Sequence, residues 1–64
     1  MEITLNGEKR RTSAHSLADL LAEQNLPTKV ATALNGNFVP AHLRAETPIR
    51  QGDRIEVLSA MQGG

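Results

Sequence analysis

Gly63 and Gly64 close this 64-residue chain, and their type and place suggest chemistry. Two successive residues without a Cβ make a thread that can enter a channel too narrow for any side chain. The second of them carries the α-carboxylate. A last strand ending about four residues earlier leaves a reach of roughly 13–14 Å, at 3.3–3.6 Å per residue. A carboxylate held out that far can enter an active site belonging to another protein. Taken alone, a Gly-Gly pair reads as no more than a frayed terminus.

The other reactive types are weaker candidates. Ser13, Ser16 and Ser59 have no base at suggestive spacing, and Ser16 is better used as a helix cap. His15 and His42 are isolated and read as exposed or locally bonded side chains. With no Cys in the chain, a disulfide is excluded and no ligand set is spaced for zinc. Seven basic residues balance seven acidic ones, which argues against a dedicated nucleic-acid binder. One Phe and no Tyr or Trp leave no stacking platform for single strands. The basic run Lys9-Arg10-Arg11 reads as a solvated edge strand that resists edge-to-edge pairing. No apolar run is long enough to span a bilayer, and the N-terminus has no signal-peptide pattern. A cytoplasmic, monomeric protein without nucleic-acid or membrane partners is the expectation.

Elements that would present such a tail can be read from pattern. Met1, Ile3 and Leu5 alternate with polar residues as in a half-buried strand, and Asn6-Gly7 is hairpin-turn chemistry. Glu8 to Thr12 is then the returning strand. Ser16-x-x-Asp19 caps a helix of about ten residues, with Leu17, Leu20 and Leu21 on one face and Pro27 as its stop. Val30 to Leu34 alternates, but its buried side is not decided by pattern. Asn35-Gly36 turns it into Asn37-Phe38-Val39, and residues 41–50 read as a surface crossing with one helical turn. In Arg54 to Ser59, Ile55 and Val57 share one face while Leu58 points away from it. Leu20 and Leu21 are expected to bury against Ile3, Leu5, Ile55 and Val57. The predicted fold is α+β, with one helix across a mixed four- to five-stranded sheet. A β-grasp arrangement follows if the helix crosses from the first hairpin to a strand beside strand one. Residues 1–60 form the domain and 61–64 a flexible Gly-Gly tail. Seventeen large apolar side chains must supply the whole core, so stability should total roughly 3–10 kcal/mol.

The layout resembles the ubiquitin-like sulfur carriers, and most closely the ThiS family of thiamine biosynthesis. The resemblance covers the whole chain. It rests on Met1-Glu2-Ile3-Thr4-Leu5-Asn6-Gly7, Ser16-Leu17-Ala18-Asp19-Leu20-Leu21 and Ala33-Leu34-Asn35-Gly36-Asn37-Phe38-Val39-Pro40. Gly52-Asp53-Arg54-Ile55-Glu56-Val57 and Met61-Gln62-Gly63-Gly64 complete it. The family often has a basic residue just after Val-Pro and an aromatic soon after, where this chain has Ala41 and Leu43. The resemblance implies a protein substrate rather than an enzyme, with no bound cofactor. A ubiquitin-activating-type adenylyltransferase (ThiF type) would use ATP to adenylate the Gly64 carboxylate. Sulfur derived from a cysteine desulfurase would then give a thiocarboxylate for a ThiG-type thiazole synthase. Gly63 would be required for entry into the partner's channel.

Two other readings stand beside this one. A sulfur carrier of another pathway, such as the molybdopterin synthase small subunit, shares the fold and tail but tends to be longer. A β-grasp interaction module with an inert tail would function without Gly63-Gly64. A free-standing enzyme is disfavoured because neither a pocket-sized core nor an acid–base pair is evident. Leu58, Met61 and Gln62, beside the root of the tail, are the expected partner contacts.

Overall fold

The computed structural model describes residues 1–59. Five strands and one helix follow in the expected order. Strands β1 (Glu2–Leu5) and β2 (Glu8–Arg11) form an antiparallel hairpin. Its turn residues Asn6 and Gly7 have φ of 51° and 83°, the left-handed pair that a two-residue type I′ turn needs. The second Asn-Gly repeats this between β3 (Val30–Leu34) and β4 (Asn37–Val39), with φ of 51° and 87°. Strand β2 lies at an edge and is exposed throughout, as Lys9-Arg10-Arg11 demands. It ends at Arg11 rather than Thr12, whose side chain turns inward and is buried.

The sheet order is β2-β1-β5-β3-β4, where β5 is Arg54–Ser59. Only β1 and β5 run parallel; the other neighbours are antiparallel. The strand beside β1 is therefore β5, and the helix delivers the chain to β3, one place further out. Arrival at β3 leaves a slot that β5 fills last. This is the β-grasp arrangement, reached with the final strand rather than the third beside the first.

Helix α1 (Leu17–Glu23) is seven residues long, shorter than the ten expected. Ser16 Oγ accepts from the Asp19 N–H at 3.1 Å and fixes its start. Asn25, not Pro27, ends it. At φ of 57° Asn25 takes the left-handed C-terminal position, and the Leu26 N–H bonds back to Leu21 O at 2.9 Å. Asn tolerates that conformation better than most residues. Leu17, Leu20 and Leu21 face the sheet and are buried with Ile3, Leu5, Ile55 and Val57. On β3 it is Val30 and Thr32 that turn inward, which settles the side that pattern left open.

The crossing that follows β4 is more ordered than its sequence suggests. A 3₁₀ helix spans Ala41–Glu46. Leu17 N–H then bonds Thr47 O and Ile49 N–H bonds His15 O, which seats Ile49 in the core. Arg44, within the 3₁₀ helix, is 6% exposed and donates into the start of β3. The basic residue of this segment thus points inward.

Candidate functional site

β5 is the central strand, and it carries the chain toward the Gly-Gly end. Its backbone is gripped from both sides. Toward β3 the ladder runs from Leu34↔Ile55 to Val30↔Ser59. Toward β1 the ladder is short, with Thr4↔Arg54 and Leu5↔Ile55 the only register pairs. There the main chain turns away at Asn6, and the Asn6 side chain takes over. Its Oδ1 accepts from Val57 N–H at 2.8 Å and its Nδ2 donates to Val57 O at 3.1 Å. At the other end of β5, Asn35 Oδ1 accepts from Arg54 N–H at 2.9 Å and its Nδ2 donates to Asp53 Oδ1 at 3.1 Å. Both hairpin turns therefore clasp β5 through side-chain amides.

Strand alternation puts the whole core under one face of the sheet, and among the described residues nothing covers the other face. Directly opposed pairs fix what lies there: Leu58 opposite Ala31, then Glu56 and Phe38 on either side of Ala33. Phe38 is 69% exposed and Leu58 68%. Between them lies a shallow depression lined by Ala31 and Ala33. Toward β2 the same face turns cationic, with Lys9 opposite Thr4 and Thr4 opposite Arg54. The surface nearest the end of β5 is thus apolar, bounded by charge.

Leu58 stands where its place in the alternation puts it, outside the core and on the open face. Met61, Gln62, Gly63 and Gly64, and with them the tail of residues 61–64, lie outside the described residues. Phe38 was missed as a member of this face, although Val39 facing inward on a period-2 strand requires Phe38 to face outward. His15 and His42 are both exposed and far apart in sequence, and no His, Asp and Glu group suited to a metal occurs among the described residues. Ser13 Oγ donates to the Glu23 carboxylate instead of serving chemistry. That carboxylate also accepts from Thr12 Oγ1 and the Ser13 N–H. The Thr12 hydroxyl foremost, then the Ser13 N–H, hold Glu23 below its ordinary carboxylate range. Among the described residues no helix is long and apolar enough to cross a membrane.

Comparison with known proteins bears on what this frame is for. The family model for the ThiS family matches residues 3–64. A sulfur carrier protein ThiS from Thermus thermophilus is 36% identical over 63 residues, covering 97% of this chain and 98% of that protein. A thiazole synthase from Paramagnetospirillum magneticum is 33% identical over 66 residues, covering all of this chain but only 20% of that protein. A crystal structure of a thiamine biosynthesis protein (ThiS) from Geobacter metallireducens superposes with a TM-score of 0.85 at 29% identity, covering both chains completely. A solution structure of a thiamine biosynthesis protein from the same organism gives 0.77 at 29% identity, covering all of this chain and 88% of that one. With its β-grasp sheet and a match over nearly its whole length, the chain belongs to the ThiS family of small sulfur carriers, which carry sulfur and are not catalysts.

Proposed function

We propose that this protein carries sulfur for thiazole formation as a thiocarboxylate on Gly64. A carboxylate is a poor electrophile until one of its oxygens becomes a good leaving group. Attack of a Gly64 carboxylate oxygen on the α-phosphorus of ATP would supply this, expelling pyrophosphate and leaving an acyl-adenylate. The terminal sulfur of a persulfide then adds to the acyl carbon and expels AMP. A thiol attacking the outer sulfur of the resulting acyl disulfide releases the thiocarboxylate and leaves a disulfide, so that one carboxylate oxygen is exchanged for sulfur. The thioacid formed is ionised near neutral pH and is a soft nucleophile able to pass its sulfur on. The chain has no Cys to compete for the activated acyl group.

These chemical steps belong to partner enzymes, and ATP is consumed there. A ThiF-type adenylyltransferase would activate Gly64, sulfur would come from a cysteine desulfurase relay, and a ThiG-type thiazole synthase would receive it. Support for the last partner is the thiazole synthase that contains a stretch similar to this entire chain. Five residues, 60–64, follow Ser59, which allows an extended reach of roughly 16–18 Å. Gly63 keeps that reach narrow enough for a channel. Leu58, with Phe38 beside the same depression, would dock on the partner while Met61 and Gln62 line the approach.

The observation that carries this reading is the family match over residues 3–64, ending on Gly63-Gly64. Incubation with a cognate activating enzyme, ATP and a sulfur donor should convert the protein to a species with one oxygen replaced by sulfur. Intact-mass spectrometry should place the change on the C-terminal peptide. Removing Gly64, or adding a residue after it, should abolish the change without altering the melting temperature. A protein lacking both glycines that still supported thiazole formation would end the proposal.

A further inference from the structure

The parallel ladder between β1 and β5 is incomplete as a main-chain structure. Thr4 N–H bonds Asp53 O and Asn6 N–H bonds Ile55 O, both at 2.9 Å. In a regular parallel pair the next rungs would be Val57 N–H to the Asn6 carbonyl, then residue 8 N–H to Val57 O. Neither forms, because the chain reverses at Asn6-Gly7 to build the hairpin with β2. The Asn6 carboxamide supplies both missing groups, an acceptor for Val57 N–H and a donor to Val57 O. Only a residue that has a left-handed φ and a short amide can turn the chain and extend the ladder at once. Val57 is two residues before the end of β5, and Leu58 of the open face follows it.

We propose that Asn6 is a positioning residue: its side-chain amide fixes the terminal part of β5, from which the chain runs on to Gly64. The inference rests on the carrier reading for its consequence, but its physical content stands on β5 itself. Without the amide, Val57 loses both of its hydrogen bonds to the Asn6 side chain, and the last residues of β5 are held less firmly. Ala31, Ala33 and Phe38 of the open face lie on β3 and β4 and are untouched, so the loss falls more on the chemical step than on encounter.

Asn35 provides an internal control. It sits in the same kind of turn at the same φ and also makes two side-chain hydrogen bonds, but at Asp53 and Arg54, the opposite end of β5. Asn6→Gly and Asn35→Gly each remove the amide while keeping a residue at ease with positive φ. In the isolated protein, backbone ¹⁵N relaxation should show the order parameters of Leu58 and Ser59 falling from about 0.85 toward 0.6 in Asn6→Gly and unchanged in Asn35→Gly. With a cognate activating enzyme and ATP, pyrophosphate release should show kcat for Asn6→Gly reduced about ten-fold or more, since an ångström of misplacement can cost about 10²-fold. KM should stay within two-fold, and Asn35→Gly should match the parent in both constants. Asn6→Asp keeps the acceptor and loses only the donor, so it should lie between, and it serves if Asn6→Gly melts too low to assay. Equal losses in the two Gly variants, unchanged order parameters, or a kcat within two-fold of the parent would each overturn the inference. If the parent protein is itself never adenylated, the carrier reading fails, and the order parameters alone decide whether Asn6 holds the end of β5.

Discussion

Replacing Arg44 by Met tests whether a buried cation without a carboxylate stabilises this fold. Arg44 is 6% exposed, and its Nε–H donates to Thr32 Oγ1 at 3.1 Å. Nη1 donates to Thr28 O at 3.1 Å and Nη2 to Val30 O. Thr32 in turn donates to Val39 O at 2.7 Å, so one side chain ties the 3₁₀ helix to β3 and, through Thr32, to β4. The sole ion pair among the described residues is Arg10–Glu8, at the surface. Two effects oppose each other. Met removes a buried ion, whose desolvation costs several kcal/mol in a deep interior. It also strips a partner from Val30 O and Thr32 Oγ1, at about 1–3 kcal/mol for a buried group left unsatisfied. The second effect should win here. The molecule is small, with a radius of gyration of 10.8 Å, so no site lies far from water and the desolvation term is small. Thr28 O is only partly buried and can recruit water. The net loss should be about 2–4 kcal/mol, which for a domain of this size lowers Tm by roughly 10–30 °C. Thermal and urea melts measure it, and a cycle with Thr32→Val should return a coupling of about 1 kcal/mol or more. A neutral or stabilising Arg44→Met would refute the reasoning, because it would mean that desolvation outweighs all three hydrogen bonds.

Three further outcomes are expected. Leu20→Ala empties a fully buried position and should cost about 2–5 kcal/mol; a loss under about 1 kcal/mol in a denaturant melt would show that the leucine stripe is not the core. Leu58→Asp, on an exposed residue, should leave stability within about 0.5 kcal/mol of the parent while weakening capture by the activating enzyme, and unfolding would contradict its place on the open face. Glu23→Gln addresses pH. The folded protein holds the Glu23 carboxyl below its ordinary value of 4.5, so its contribution is complete above that value and is lost as pH falls through the folded value. The variant should therefore be less stable than the parent at neutral pH, with the gap closing on acidification; a gap constant down to strongly acidic pH would show that the carboxylate contributes nothing as a charge.

What pattern made legible were features whose cause is local. Both Asn-Gly turns, the Ser16 cap, the leucine stripe and the outward Leu58 depend on residues within four positions of each other. Each appears where expected. Helix α1 is three residues shorter than expected because Pro27 is a loud stop and Asn25 a quiet one. The buried side of β3 was not legible, because Ala31 and Ala33 fit either face. Only the pairing of Thr32 with Val57 decides it, across 25 positions of sequence.

Arg44 and Asn6 failed to announce themselves for a deeper reason. By type, Arg belongs at the surface and Asn in a turn, and such expectations follow from the cost of leaving polar groups unpaired. Both residues occupy sites where backbone groups of another element would otherwise lack partners: carbonyls at the start of β3, and the Val57 amide and carbonyl beyond the end of β1. Those vacancies exist only once the strand order is known, and the order turns on β5 entering between β1 and β3 as the final strand. A side chain that completes another element's hydrogen bonding is thus visible only from the assembled sheet. In this fold both such side chains serve the strands on which the end of the chain depends: Asn6 grips β5 itself, and Arg44 anchors β3, its antiparallel neighbour.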